Sequence, residues 1–163
     1  MAMDNIIIYT DGGCRGNPGL GAWGAILISE KHNLRLEIGE SEDNVTNNKM
    51  EMKAAIKALE RLKHSHNIKL YSDSAYLING MTKWIYSWQK NNWIKSDKKP
   101  VENKEYWLKL IELSNKHNIE FIKVKGHSTN KENNRADEIV NILMDKHIET
   151  GEVASYSEKT SYN

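Results

Sequence analysis

Four acidic residues stand where the surrounding pattern asks for something else. Asp11 closes the apolar run IIIYT at residues 6–10 and precedes Gly12-Gly13. Asp73 closes a second short run, IKLYS, at residues 68–72. Glu51 lies in KMEMKAAIKALERLKH, and on a wheel of about 100° per residue it falls between Ala58 and Leu62, on the apolar side. Asp137 lies at the edge of the apolar stripe formed by Ala136, Ile139, Val140, Leu143 and Met144. Carboxylates gathered in one place repel each other and are driven to protonate, and a divalent cation removes that penalty. An all-oxygen donor set without clustered His or Cys selects Mg²⁺ or Mn²⁺ over zinc. Two such ions bridged by a shared carboxylate form a clamp for in-line displacement at phosphorus.

Each acid also has a local reading. Asn48 and Glu51 fit the N-x-x-E spacing of a capping box, and acids in the first turn of a helix are favoured by its dipole, which accounts for Glu51 and Asp137 separately. Asp11 before two glycines fits a turn, and Asp73-Ser74 fits a helix cap. These readings leave the convergence itself unexplained.

The elements that must carry the acids follow from periodicity. Residues 6–10 read as a central strand buried on both faces. Residues 21–30 and 34–39 read as a hairpin on the same sheet, so three antiparallel strands open the chain. A helix of about 17 residues opening at Asn48 precedes the strand at residues 68–72, and strand–helix–strand calls for a right-handed crossover with parallel pairing. Asp11 and Asp73 then emerge at one edge of the sheet, where ligands of open α/β sheets bind. Helices are predicted in parts of residues 75–104, over 104–117 and over 134–147, with a fifth strand at 119–124. The polar, aperiodic stretch 151–163 reads as a flexible tail.

The 163 residues suit one domain, and a formal net charge of +1 gives no global attraction to a polyanion. Cys14 is the only cysteine, so no intrachain disulfide is possible. No run approaches membrane-spanning length and MAMDN lacks the pattern of a secretion signal, so the expected compartment is the cytoplasm and no membrane partner is expected.

Four segments in order resemble ribonuclease HI: YTDGGCRGNPGLGAWGAIL, TNNKMEMKAAIKALE, YSDSAYLINGMTKWI and VKGHSTNKENNRADEIV. The resemblance covers the chain to about Ile148 and implies an RNase H-like α/β domain over residues 1–150, built on a five-stranded mixed sheet flanked by helices. The implied activity is endonucleolytic cleavage of the RNA strand of RNA–DNA hybrids with two Mg²⁺ ions, Mn²⁺ being a substitute, leaving 5′-phosphate and 3′-hydroxyl ends. Asp11, Glu51, Asp73 and Asp137 match the metal ligands, with Asp11 bridging, Asp137 on the ion that activates water, and Glu51 and Asp73 on the ion facing the leaving 3′ oxygen. His127, in the loop KGHSTNKEN, matches the family's catalytic histidine; a loop imidazole titrating near neutrality suits proton transfer or product release, although a lone loop histidine also fits plain surface.

Selecting RNA requires contact with the 2′-hydroxyl. By resemblance Asn17, Asn47 and Asn48 contact the hybrid and Thr46 a DNA phosphate, while turn and cap roles are open to the asparagines as well. Residues 82–104 hold six lysines against Asp97 and Glu102, with Trp84, Trp88 and Trp93 interleaved. This local basic charge resembles the family's protrusion. Trp84, Lys90, Lys95, Lys98 and Lys99 are its expected substrate contacts, the tryptophans mainly holding its shape. Ala75 and Ser87 depart from the common pattern, which has glutamine and asparagine there. Two other readings stay beside the first: a non-catalytic hybrid-binding module, and a DNA-cutting resolvase or integrase of the same fold. A monomer is expected.

Overall fold

The computed structural model describes residues 3–125 and 130–162. Three long strands come first: β1 (Asn5–Arg15), β2 (Gly19–Ser29) and β3 (Leu34–Val45). Then α1 (Asn47–Glu60) leads to β4 (Asn67–Ser72). Next are α2 (Ala75–Asn79), a π-helical turn over Gly80–Trp84, and α3 (Ile85–Lys90). The chain continues through α4 (Lys104–Ser114), β5 (Asn118–Lys123), α5 (Lys131–Thr150) and β6 (Ser155–Ser161).

One mixed sheet runs in the order β5-β4-β1-β2-β3-β6. β1 pairs antiparallel with β2 and parallel with β4, and β5 extends the parallel half. Alternation along β1 sends Ile6 and Ile8 into a large core with Met52, Ala55, Leu59, Leu77, Trp107 and Leu110 from α1, α2 and α4. The opposite face packs on α5 through Ala22, Ile26, Ile139, Val140 and Leu143. Ile7 and Tyr9 on that face are half-buried, so β1 is fully covered only toward α1.

Two expectations about the chain's end are corrected. The sheet has six strands, not five, and residues 155–161 are not a frayed tail but β6, paired antiparallel with β3 from Leu34↔Ser161 to Glu40↔Ser155. Gly151, in the left-handed conformation (φ 73°), ends α5 with its N–H donating to the His147 carbonyl at 2.8 Å. The returning chain is latched at Ser41, which is 1% exposed. The Ser41 backbone N–H donates to the Ala154 carbonyl, and its hydroxyl accepts from the Ala154 N–H, both at 2.8 Å. The hydroxyl also hydrogen-bonds His147 Nδ1 at 2.7 Å, while Nε2 faces Asp43 at 3.2 Å. Composition hid this strand because SYSEKTS offers the core a single ring, Tyr156; backbone pairing, that ring and the buried Ser41 hold it.

Replacing Ser41 with Ala strips buried groups on α5 and the returning chain of their partner. Stability in urea melts should fall by about 1–3 kcal/mol, the cost of orphaning buried polar groups; an unchanged midpoint would show that the latch contributes nothing.

Candidate active site

The parallel pairing of β1 with β4 ends at Thr10↔Ser72, whereas β1 itself continues to Arg15 beside β2. Asp11 is therefore not the end of its strand, as the sequence pattern implied, but the first residue to lose a neighbour on one side. It pairs with Gly24 on β2 and is 6% exposed, which excludes a turn role. Asp73 directly follows the last residue of β4 and is half-buried. Ser74 takes the capping duty of α2, its hydroxyl accepting from the Leu77 N–H at 3.1 Å.

Glu51 enters from α1. The N-cap of that helix is Thr46, whose hydroxyl accepts from the Lys49 N–H at 3.2 Å, so the Asn48–Glu51 capping box does not form. Glu51 lies in the second turn and is 8% exposed. Oxygens of Asp11, Glu51 and Asp73 lie within 4.8 Å of one another. Asp137 is the outer member: it is exposed, lies in the second turn of α5 beyond the reach of first-turn dipole stabilisation, and its carboxyl is close enough to Asp11 to raise it. Residues 126–129, His127 among them, lie outside the described residues.

Electrostatics follow from this crowding. Burial, the Asp73 charge and the Asp137 carboxyl push Asp11 up to about 8. Burial, then the charges of Asp11 and Asp73, drive Glu51 well above the ordinary carboxylate range. One Glu51 oxygen, Oε1, is buried without a hydrogen-bond partner. An all-carboxylate donor set, two members buried and one with an orphaned oxygen, fits a hard divalent cation.

Beside the acids, the β1–β2 turn is stapled to the start of α1. Asn47 Oδ1 accepts from the Cys14 N–H at 2.8 Å, and Asn17 Oδ1 accepts from the Asn47 N–H at 3.1 Å. Asn17, Asn47 and Asn48 are exposed there, next to Thr46. Farther along, the protrusion encloses a cleft of about 970 Å³ whose lining includes Trp84, Lys90, Lys95 and Lys98. Lys99 is not part of that lining. Trp88 packs against Trp84, Trp93 and Trp107 with ring centroids 5.5–6.0 Å apart, so it shapes the cleft, while Trp84 is 36% exposed. Ser87 lines the same cleft and receives a 3.3 Å hydrogen bond from the Asn91 side chain. Asn91 was not singled out from sequence, since only folding brings it to the cleft.

The RNase H family model matches residues 3–143. The chain belongs to the RNase H family. Ribonuclease H of Caldanaerobacter subterraneus subsp. tengcongensis is 54% identical over 142 residues, 86% of this chain and 92% of that one. LC11-RNase H1 in complex with an RNA/DNA hybrid superposes with a TM-score of 0.66 at 31% identity, covering 88% of this chain and 99% of that one. LC9-RNase H1 shares the fold, with a TM-score of 0.81 at 22% identity over 96% of this chain and 79% of that one. The RNase H chain is thereby placed among the endoribonucleases, and its β6 lies beyond the part that the family model matches. No helix among the described residues is long and apolar enough to cross a membrane.

In the metal-free RNase H chain, the raised Asp11 makes the folded state hold a proton that the unfolded state has released. Its contribution is therefore fully present below about pH 4 and is lost as pH rises toward about 8. Melts in EDTA should show the parent losing stability across that window and Asp11→Asn exceeding the parent by about 5 °C at its top. A variant less stable than the parent at pH 8 would refute the repulsion.

Proposed function

We propose that the chain hydrolyses the RNA strand of RNA–DNA hybrids with two Mg²⁺ ions, leaving 5′-phosphate and 3′-hydroxyl ends. The carrying observation is the convergence of three carboxylates within 4.8 Å, with Asp137 near Asp11, in a chain of the RNase H family. Asp11, Glu51, Asp73 and Asp137 would hold the ions, Asp11 being shared. When bound, the ions supply an activated water and positive charge at the phosphoryl and leaving oxygens. Mn²⁺, with the same preference for oxygen donors, would substitute.

The remaining roles belong to the protein's own groups. Asn17 on the β1–β2 turn, with Asn47 and Asn48 at the start of α1 to which that turn is stapled, would read the 2′-hydroxyl that distinguishes RNA. Thr46 and the basic protrusion bind the DNA backbone, with Trp84 presenting a ring at the cleft mouth. His127 moves a proton or helps release product. The chain works as a monomer in the cytoplasm. A pure binding module would gain nothing from burying negative groups where phosphate must approach, and a resolvase has no need of a surface built to read 2′-hydroxyls.

Labelled hybrid, double-stranded RNA and double-stranded DNA, each with Mg²⁺ or EDTA, test the reading. Cleavage confined to the RNA of the hybrid and to Mg²⁺ is expected, with 3′ ends that a polymerase extends. Equal cutting of DNA would favour the resolvase, and binding without cutting the hybrid-binding module. Asp11→Asn should lower kcat by on the order of 10³-fold or more, several kcal/mol of lost transition-state stabilisation.

The cleft separates the lysines. Replacing Lys90, Lys95 and Lys98 together with alanine should raise KM several-fold, change kcat little, and reduce the slope of log affinity against log salt by roughly 0.9 per lost phosphate contact. Lys99→Ala should act more weakly than any of the three. Equal effects at all four positions would show that the cleft does not select the contacts.

A further inference from the structure

Gly12 and Gly13 read in sequence as a turn, but both lie inside β1, and their surroundings differ sharply. A Cβ on Gly13 would have only Asn47 Oδ1 near it, at 3.9 Å. A Cβ on Gly12 would lie 2.3 Å from the Met50 carbonyl carbon and 2.5 Å from the Glu51 nitrogen. Those are backbone atoms of α1, so no side-chain rotation relieves the overlap. Van der Waals contact needs about 3.5–4.0 Å, so any side chain at position 12 must displace that turn of the helix by about 1 Å. The displaced turn is the one that bears Glu51. The Gly12 backbone also lies near the Glu51 carboxylate and favours its charged form.

We propose that Gly12 is a positioning residue for the acid cluster: its bare backbone lets α1 lie directly on β1, and that close approach sets Glu51 beside Asp11. The proposal rests on the metal-dependent reading above, and it assigns the position to the site and not to the core alone. The core does not require such closeness, since Met50 and Met52 are flexible side chains that fill gaps readily. The acid cluster does require it, since the Glu51 carboxylate must lie within 4.8 Å of those of Asp11 and Asp73.

The test compares the parent, Gly12→Ala, Gly13→Ala and Asp11→Asn, each melted in EDTA and in saturating Mg²⁺, with hybrid cleavage measured alongside. Gly12→Ala should keep the parent's far-UV circular dichroism, lose more than half of the Mg²⁺-induced rise in Tm, and drop kcat by on the order of 10²-fold with KM little changed, as a misplacement of about 1 Å does. Gly13→Ala should keep the full Mg²⁺-induced rise. A Gly12→Ala chain that fails to fold, or that melts lower yet keeps the full rise, assigns the contact to the core and overturns the proposal. Asp11→Asn distinguishes the two levels: if it too keeps the rise, the metal reading fails, and the Gly12 proposal falls with it.

Discussion

The mutual repulsion of carboxylates at a gap in the sheet organises the whole molecule. β4 stops at Ser72 while β1 runs on, and the space left beside Asp11 is where Asp73, Glu51 and Asp137 arrive from three other elements. Such a gathering opposes folding, because ordinary carboxylates ionise in water and two of these, Asp11 and Glu51, are buried beside the others. The rest of the fold must overcome that opposition. Cores on both faces of the sheet do so, with α1 bound to β1 and β2 on one side and α5 on the other. A cation of matching hardness converts the same repulsion into attraction.

The acids are supported by a layer of contacts that do no chemistry themselves. Thr46 and Ser74 cap their helices, so neither Glu51 nor Asp73 is consumed by capping. Asn17 and Asn47 join the β1–β2 turn to the start of α1, fixing the surface beside the acids as one piece. Aromatic packing around Trp88 does the same for the protrusion, where lysines alone would repel each other. Both surfaces present polar groups whose positions are set by packing underneath them.

Much of this was legible in the residues, and what was not has physical causes. Periodicity located the amphipathic helices and the apolar strands because burial imposes a face on each. The four acids were visible because a charge that closes an apolar run, as at Asp11 and Asp73, or falls on or beside an apolar stripe, as at Glu51 and Asp137, breaks the pattern. Strand ends were harder: Gly12 and Gly13 resemble a turn in sequence, yet pairing with β2 carries β1 through them to Arg15. The Asn48–Glu51 spacing suggested a box that Thr46 pre-empts by starting the helix two residues earlier. β6 left little signal, since an edge strand held by backbone pairing needs little more apolar surface than Tyr156 gives. Lys99 looked like its neighbours because exposure to a cleft is a property of the folded chain, not of charge.

β6 also bears on how the chain behaves in a crowded solution. Strand β3 is twelve residues long, and without β6 its outer backbone groups from Leu34 to Glu40 would stand as a ready template for another chain. β6 occupies that template and offers in its place a seven-residue border studded with Glu158 and Lys159. Proteolytic nicking at the exposed residues 151–153 would remove the guard without touching the acids, leaving a catalytically furnished molecule prone to self-association and aggregation.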